Sequence, residues 1–308
     1  MALLFCSPDD DPVAWRAALT RLRPGLEVRV WPETGDPAEI DAALVWRPQP
    51  GLLASLPNLR LILSLGAGVD GLLADPTLPD LPLCRMVDPS LTRSMSEFVL
   101  TVALLYHRRL DVYDRQQRAA RWRFELPRPA AATTVGILGL GTLGSDAAAV
   151  LGAQGFTVQG WSRTARTIAG VRTFAGGDGL NGFLADTDLL VCLLPLTPDT
   201  EGILGADLFA RLPRGARLLN VGRGRHLVEQ DLLDALDSGR LAHATLDVFR
   251  DEPLPPEHPF WRHPGIRVTP HCASYSLPES AAAGVVENLR RLEAGLPLLH
   301  LVDRARGY

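Results

Sequence analysis

Three segments of the chain close an apolar run with side chains able to bind an acid and move a proton. They are Asn220-Val221-Gly222-Arg223-Gly224, Leu246-Asp247-Val248-Phe249-Arg250-Asp251-Glu252-Pro253 and Thr269-Pro270-His271. Open α/β sheets hold their ligands beyond the carboxyl ends of the strands, which is where these residues would fall. An arginine can grip a carboxylate through two parallel hydrogen bonds. A histidine can give a proton to a carbonyl oxygen, and a nearby glutamate can orient it and favour its protonated form. Taken singly, each has a structural explanation: Arg223 as a surface residue in a glycine turn, Glu252 as an acidic loop residue, His271 as a satisfied core histidine. Their combination points to catalysis.

A second constellation is built for phosphate. Gly139-Leu140-Gly141-Thr142-Leu143-Gly144 fits G-x-G-x-x-G after a strand-like run and before a helical one. Gly139 suits the tight turn, Gly141 a close approach to a pyrophosphate, and Gly144 close packing of helix on strand. The helix start beyond them offers N–H groups and a positive dipole end to an anion. The next strand ends Trp161-Ser162-Arg163-Thr164, where a site for NAD would usually carry an acidic residue. Ser162, Arg163 and Thr164 can donate to a 2′-phosphate instead, so the expected cofactor is NADPH, with NADH weaker.

The elements needed to position these groups can be read from periodicity. Strands are expected at Ala2–Cys6, Glu27–Trp31, Ala43–Trp46, Leu59–Leu65 and Pro82–Met86, and then at Thr134–Leu140, Phe156–Trp161, Thr187–Leu194, Ala216–Val221 and Ala242–Phe249. Helical spacing marks Ala14–Leu22, a long helix starting near Thr92–Ser96 and running to Tyr106, then Leu143–Leu151, Gln230–Leu236 and Ser280–Glu293. Strands alternating with helices imply doubly wound parallel sheets. The 111–128 stretch, with Trp122 and Phe124 among arginines, reads as a solvated, partly helical connection or as an arm touching another subunit.

Composition narrows the rest. A chain of 308 residues with 46% hydrophobic content can bury the cores of two domains. With 35 acidic and 31 basic residues there is no electrostatic call for nucleic acid or an anionic membrane. No run is long enough to span a bilayer, and the N-terminal apolar run is too short for a signal peptide. The four cysteines show no metal or disulfide spacing, so a reduced, cytoplasmic protein without a metal is expected. All 31 basic residues are arginine. That rules out Schiff-base chemistry, a P-loop lysine and a lysine general base.

The order of these motifs resembles the D-2-hydroxyacid dehydrogenase family across essentially the whole chain, and within it the bacterial A-type glyoxylate/hydroxypyruvate reductases. Ser64-Leu65-Gly66-Ala67-Gly68-Val69-Asp70, the pair of Ser162 and Arg163 after Trp161, and the tail Val302–Tyr308 support the likeness. The resemblance implies two α/β domains with a cleft between them: a Rossmann-type dinucleotide-binding domain (94–273) and a flavodoxin-like substrate-binding domain (1–93 and 274–308). It implies hydride transfer to C2 of a small 2-keto acid, with Arg223 on the carboxylate, His271 as proton donor and Glu252 as its partner. Asp247 and Val221 would lie at the cofactor, with Leu194 and Pro195 in a loop passing under it. Ala67, Gly68 and Val69 would present backbone N–H groups to the substrate, and Trp46 would limit its size. A homodimer is expected. A reductase for larger 2-keto acids, and a non-catalytic dinucleotide-sensing protein on the same fold, stand as alternatives.

Overall fold

The computed structural model describes residues 1–308, which divide into two compact units, 1–91 with 275–308 and 92–274. In the first unit, β1 (Ala2–Cys6), β2 (Glu27–Val30), β3 (Ile40–Val45), β4 (Leu61–Ser64) and β5 (Leu83–Cys84) form one parallel sheet in the order β2-β1-β3-β4-β5. This is the flavodoxin-like order. Every residue of β1 is buried, as expected of a central parallel strand covered on both faces. Helix α1 (Pro12–Leu22) starts at Asp11, whose carboxylate caps the Val13 N–H at 2.9 Å, and it packs against α9 (Pro278–Ala294). Gly295 ends α9 in the left-handed conformation. The short helix α2 (Asp70–Leu73) follows β4.

Helix α3 (Pro89–His107) leads from the first unit into the second. It begins three residues before the Thr92–Ser96 start expected from periodicity. Asp88 accepts the Leu91 N–H at 3.0 Å and Pro89 takes the first helical position, a stop-and-start signal the apolar pattern does not carry.

The second unit holds seven parallel strands in the order β12-β11-β10-β9-β6-β7-β8. These are β6 (Thr134–Leu138), β7 (Thr157–Ser162), β8 (Arg172–Ala175), β9 (Leu189–Cys192), β10 (Ala216–Asn220), β11 (Leu241–Leu246) and β12 (Ile266–Val268). The order reverses between β6 and β9, the switch point at which this fold binds dinucleotides. Helices α5 (Thr142–Ala153), α6 (Gly176–Ala185), α7 (Ala206–Arg211) and α8 (Glu229–Asp237) complete the winding. Strands β8 and β12 and helices α6 and α7 are additions to the elements expected from sequence. Two cores fill this unit: Phe183, Leu190, Phe209 and Leu218 belong to one, Val99, Ile137, Ala147 and Val191 to the other.

Helix α4 (Leu110–Arg118) is fastened to this sheet by charge. The fully buried Asp111 carboxylate accepts Arg217 Nε at 3.0 Å and Nη2 at 2.9 Å, and Asp114 pairs with Arg267 at 2.7 Å. Beside them the Tyr106 hydroxyl lies 3.0 Å from His243 Nδ1 and 2.6 Å from Thr245 Oγ1. After α4 the chain runs without regular structure through Trp122, Phe124 and Leu126, all strongly exposed.

Burial pushes the His243 imidazole down to about 4; Asp111 opposes the shift, and Arg115, Arg267 and Arg217 add to it. Between about pH 6.5, where an unfolded histidine titrates, and pH 4, the unfolded chain takes up a proton that the folded chain refuses. Stability should therefore fall through that window and level off below it. His243→Asn, which keeps an acceptor for Tyr106, should lose about 2 kcal/mol less than wild type between pH 7.5 and pH 4.5 in urea unfolding. Equal losses in the two proteins would show that other groups set the acid limit.

Candidate active site

The turn between β6 and α5 is shaped by close backbone contacts. Gly139 has φ +103°, and a β-carbon on it would stand 2.7 Å from the Leu193 carbonyl oxygen. A β-carbon on Gly144 would come within 1.9 Å of the Gly139 oxygen, so helix and strand approach as only glycine allows. Gly141 caps α5 with no side chain, and nothing lies within 4 Å of where its β-carbon would be. The first-turn N–H groups at Thr142 and Leu143 thus start a twelve-residue helix without a side-chain cap. This bare, positively polarised end suits a pyrophosphate, and the residues present fit a dinucleotide. The Gly139 N–H also donates to the Trp161 carbonyl at 2.9 Å, tying the turn to the end of β7. There the Ser162 hydroxyl donates to the Thr164 carbonyl at 2.8 Å, so its proton is used within the turn. Arg163 and Thr164 are exposed.

The loop after β9 sits beside this turn. Leu194 is buried, and the Pro195 carbonyl accepts from Thr200 Oγ1 at 2.8 Å and from His226 Nε2 at 3.2 Å. His226 lies in the short 3₁₀ turn Gly224–His226 and is fully buried; its Nδ1 accepts the Arg223 N–H at 3.0 Å. Arg223 is further held by Asn220, whose side-chain amide donates to the Arg223 carbonyl at 3.1 Å. Val221 is buried at the end of β10. Gly224 lies hard against the next loop: a β-carbon there would stand 1.8 Å from the Phe249 carbonyl carbon.

That loop carries Glu252, which meets His271 on the segment that follows β12. Glu252 Oε1 accepts the Phe249 N–H at 3.0 Å, and Oε2 lies 2.8 Å from His271 Nδ1. Nδ1 is the donor to the carboxylate, which leaves Nε2 as the ring atom that can give up a proton. His271 itself has φ +53°, a left-handed conformation unusual for a residue with a side chain. Asp247 holds it there. The buried carboxylate accepts Thr269 Oγ1 at 2.6 Å, the Cys272 N–H at 2.9 Å and the Ala273 N–H at 2.9 Å, while the Asp247 carbonyl accepts the His271 N–H at 2.8 Å. A run of direct contacts thus joins the glycine turn, the 194–197 loop, Arg223, Glu252 and His271. The sequence pattern did not single out His226; its signal is a histidine three residues after Arg223.

In the other unit, Trp46 and the 66–69 loop are brought together. A β-carbon on Gly66 would fall 2.3 Å from the Trp46 ring, so the indole closes on the glycine backbone as no other residue there would allow. Ala67 and Gly68 are half-buried and Val69 is buried.

Residues 100–273 match the model of the D-isomer specific 2-hydroxyacid dehydrogenase NAD binding domain. The chain belongs to this family. The glyoxylate/hydroxypyruvate reductase A of Serratia proteamaculans is 45% identical over 314 aligned residues, covering 100% of both chains. Among solved structures, a D-isomer specific 2-hydroxyacid dehydrogenase from Xanthobacter autotrophicus Py2, in complex with NADPH and MES, is 47% identical. It superposes with a TM-score of 0.96 over 100% of this chain and 99% of that one. The NADPH-dependent glyoxylate/hydroxypyruvate reductase of Sinorhizobium meliloti, in complex with NADP and sulfate, is 44% identical with a TM-score of 0.93 over 100% of both. As a 2-hydroxyacid dehydrogenase this chain is an oxidoreductase using a nicotinamide dinucleotide, built from two parallel-sheet α/β domains.

Glu252→Gln exchanges one of two occupied acceptors for a donor, against either Phe249 N–H or His271 Nδ1. It should lower kcat for 2-keto acid reduction by about 10²-fold while cofactor affinity stays within about twofold. Steady-state kinetics and a cofactor titration check this, and a normal kcat would remove Glu252 from the reaction.

Proposed function

We propose that this chain is an NADPH-dependent reductase of small 2-keto acids, glyoxylate and hydroxypyruvate among them. The observation that carries the reading is the 2.8 Å contact between His271 and Glu252 on the turn held by Asp247, since a protein that only senses a dinucleotide needs no oriented proton donor. The glyoxylate/hydroxypyruvate reductases of Serratia and Sinorhizobium that this chain resembles support the substrate class. A bound nicotinamide would supply the hydride to C2 of the keto acid. Arg223 would take the substrate carboxylate in a two-pronged contact and polarise the keto oxygen. His271 Nε2 would give its proton to that oxygen, leaving a neutral ring and a 2-hydroxy acid, with Glu252 keeping Nδ1 in place. Asp247 and Val221 would border the nicotinamide end of the site. In this reading residues 94–273 bind the cofactor, and residues 1–93 with 274–308 bind the substrate. The 66–69 loop would offer N–H groups to the carboxylate, and Trp46 would restrict the pocket to small acids. A cytoplasmic homodimer joined through the exposed segment around Trp122 and Phe124 belongs to the same reading, because aromatics among arginines suit an interface.

His271→Asn tests the reading most directly, since asparagine also tolerates the left-handed backbone. Glyoxylate turnover should fall about 10²–10⁴-fold with NADPH affinity nearly unchanged. A variant with near-normal turnover would take the proton donor away from His271.

Cofactor choice is tested at Arg163. A guanidinium facing a 2′-phosphate makes charge-assisted hydrogen bonds worth roughly 1.5–3 kcal/mol each, trimmed here by solvent. Arg163→Ala should weaken NADPH about tenfold and NADH far less, and the gap should narrow as salt rises. Equal losses for both cofactors would show that Arg163 stacks on adenine or only supports the loop; a wild-type preference for NADH would defeat the NADPH assignment.

A further inference from the structure

His226 is a buried residue whose two ring nitrogens are turned to different duties. Nδ1 accepts the Arg223 N–H at 3.0 Å, which places the ring proton on Nε2, and Nε2 donates to the Pro195 carbonyl at 3.2 Å. The ring is fully buried, and Cys192 Sγ lies 3.8 Å from Nδ1. Room for it depends on Gly222, where a β-carbon would stand 2.9 Å from Nδ1 and 3.2 Å from the Leu194 carbonyl oxygen. The backbone of His226 is also fixed: its carbonyl accepts the Leu204 N–H at 2.9 Å, and its own N–H donates to the Arg223 carbonyl at 3.2 Å. Arg223 and Pro195 are 28 residues apart in sequence, on the loops that follow β10 and β9, and one imidazole spans both.

We propose that His226 is a positioning residue that sets the 194–197 loop against the cofactor and the Arg223 turn against the substrate carboxylate, one through each nitrogen. The inference rests on the roles of Arg223 and Pro195 in the reading above. A donor and an acceptor on one rigid ring make the two settings separable by substitution. Asparagine reproduces the position of Nδ1 but cannot reach Pro195. Glutamine reproduces the position of Nε2 but offers no acceptor where Nδ1 stood.

The test measures binding, with no turnover required. NADPH is titrated into the free protein by its fluorescence, and oxalate, an unreactive small dicarboxylate, into the NADPH-saturated protein. His226→Asn should raise the NADPH Kd about tenfold and leave oxalate within about twofold; His226→Gln should do the reverse. Thr200→Val, which removes the other donor to the Pro195 carbonyl and the acceptor of the Thr197 N–H, loosens the same loop without touching Arg223; it should raise the NADPH Kd and leave oxalate within about twofold, and it serves if the histidine variants fail to fold. Parallel shifts of both ligands in both histidine variants, or a loss of thermal stability with neither Kd changed, would overturn the proposal and make His226 a packing residue. An unchanged NADPH Kd in Thr200→Val would show that the setting of the 194–197 loop does not govern cofactor binding, and would overturn the cofactor half. Wild-type protein that binds NADPH but not oxalate would instead overturn the reading of Arg223, and the substrate half of this proposal with it.

Discussion

One buried carboxylate organises the acid–base side of the site. Asp247 leaves β11 with both oxygens accepting from Thr269, Cys272 and Ala273, so the strand that carries Glu252 onward also clamps the segment carrying His271. An ionised group in the interior is tolerated when donors surround it, and three are supplied here from one short stretch of chain. The clamp offsets the cost of the left-handed turn at His271, whose ring meets Glu252 at 2.8 Å. Pairing of β10 with β11 and of β11 with β12 then fixes where the arginine and the histidine stand relative to Asp247.

The opposite side of the same sheet is organised by contact between backbones. Gly139 and Gly144 bring α5 down onto β6, and the Leu193 carbonyl fills the space a side chain at Gly139 would need. The 194–197 loop is therefore fixed by the glycine turn on one side and by His226 on the other. The glycine turn, the 194–197 loop and the segments carrying Arg223, Glu252 and His271 all follow the carboxyl ends of parallel strands, where the doubly wound fold places its ligands.

The glycine turn and the set of Arg223, Glu252 and His271 that the fold brings together are legible from residues alone, because glycine, arginine and histidine in these patterns have few structural substitutes. Strand and helix periodicity located both sheets. What escaped has physical reasons. Helix α6 is Gly176-Gly177-Asp178-Gly179-Leu180-Asn181-Gly182-Phe183-Leu184-Ala185, and intrinsic preference argues against a helix there. Burial of Phe183 and Leu184, with Gly179 and Gly182 set against Phe174, overrides it. Strand β12 has only three residues and follows Pro264-Gly265, too brief for alternation to show. The role of His226 is tertiary: its partners Arg223 and Pro195 come from different loops, and nothing in local spacing announces the second. The bonds of Asp247 to the 269–273 segment are equally invisible before folding.

The backbone at His271 also shapes which sequences this site can explore. A left-handed φ of +53° admits glycine, asparagine and aspartate with little strain and penalises branched side chains by roughly 1–2 kcal/mol beyond any chemical loss. A random library at this position would therefore be sieved by conformation before it was sieved by activity. Valine, isoleucine and threonine would drop out early for reasons unrelated to proton transfer. The survivors would centre on glycine, asparagine and aspartate, so the route by which such a protein loses turnover while keeping its fold is narrow and chemically predictable.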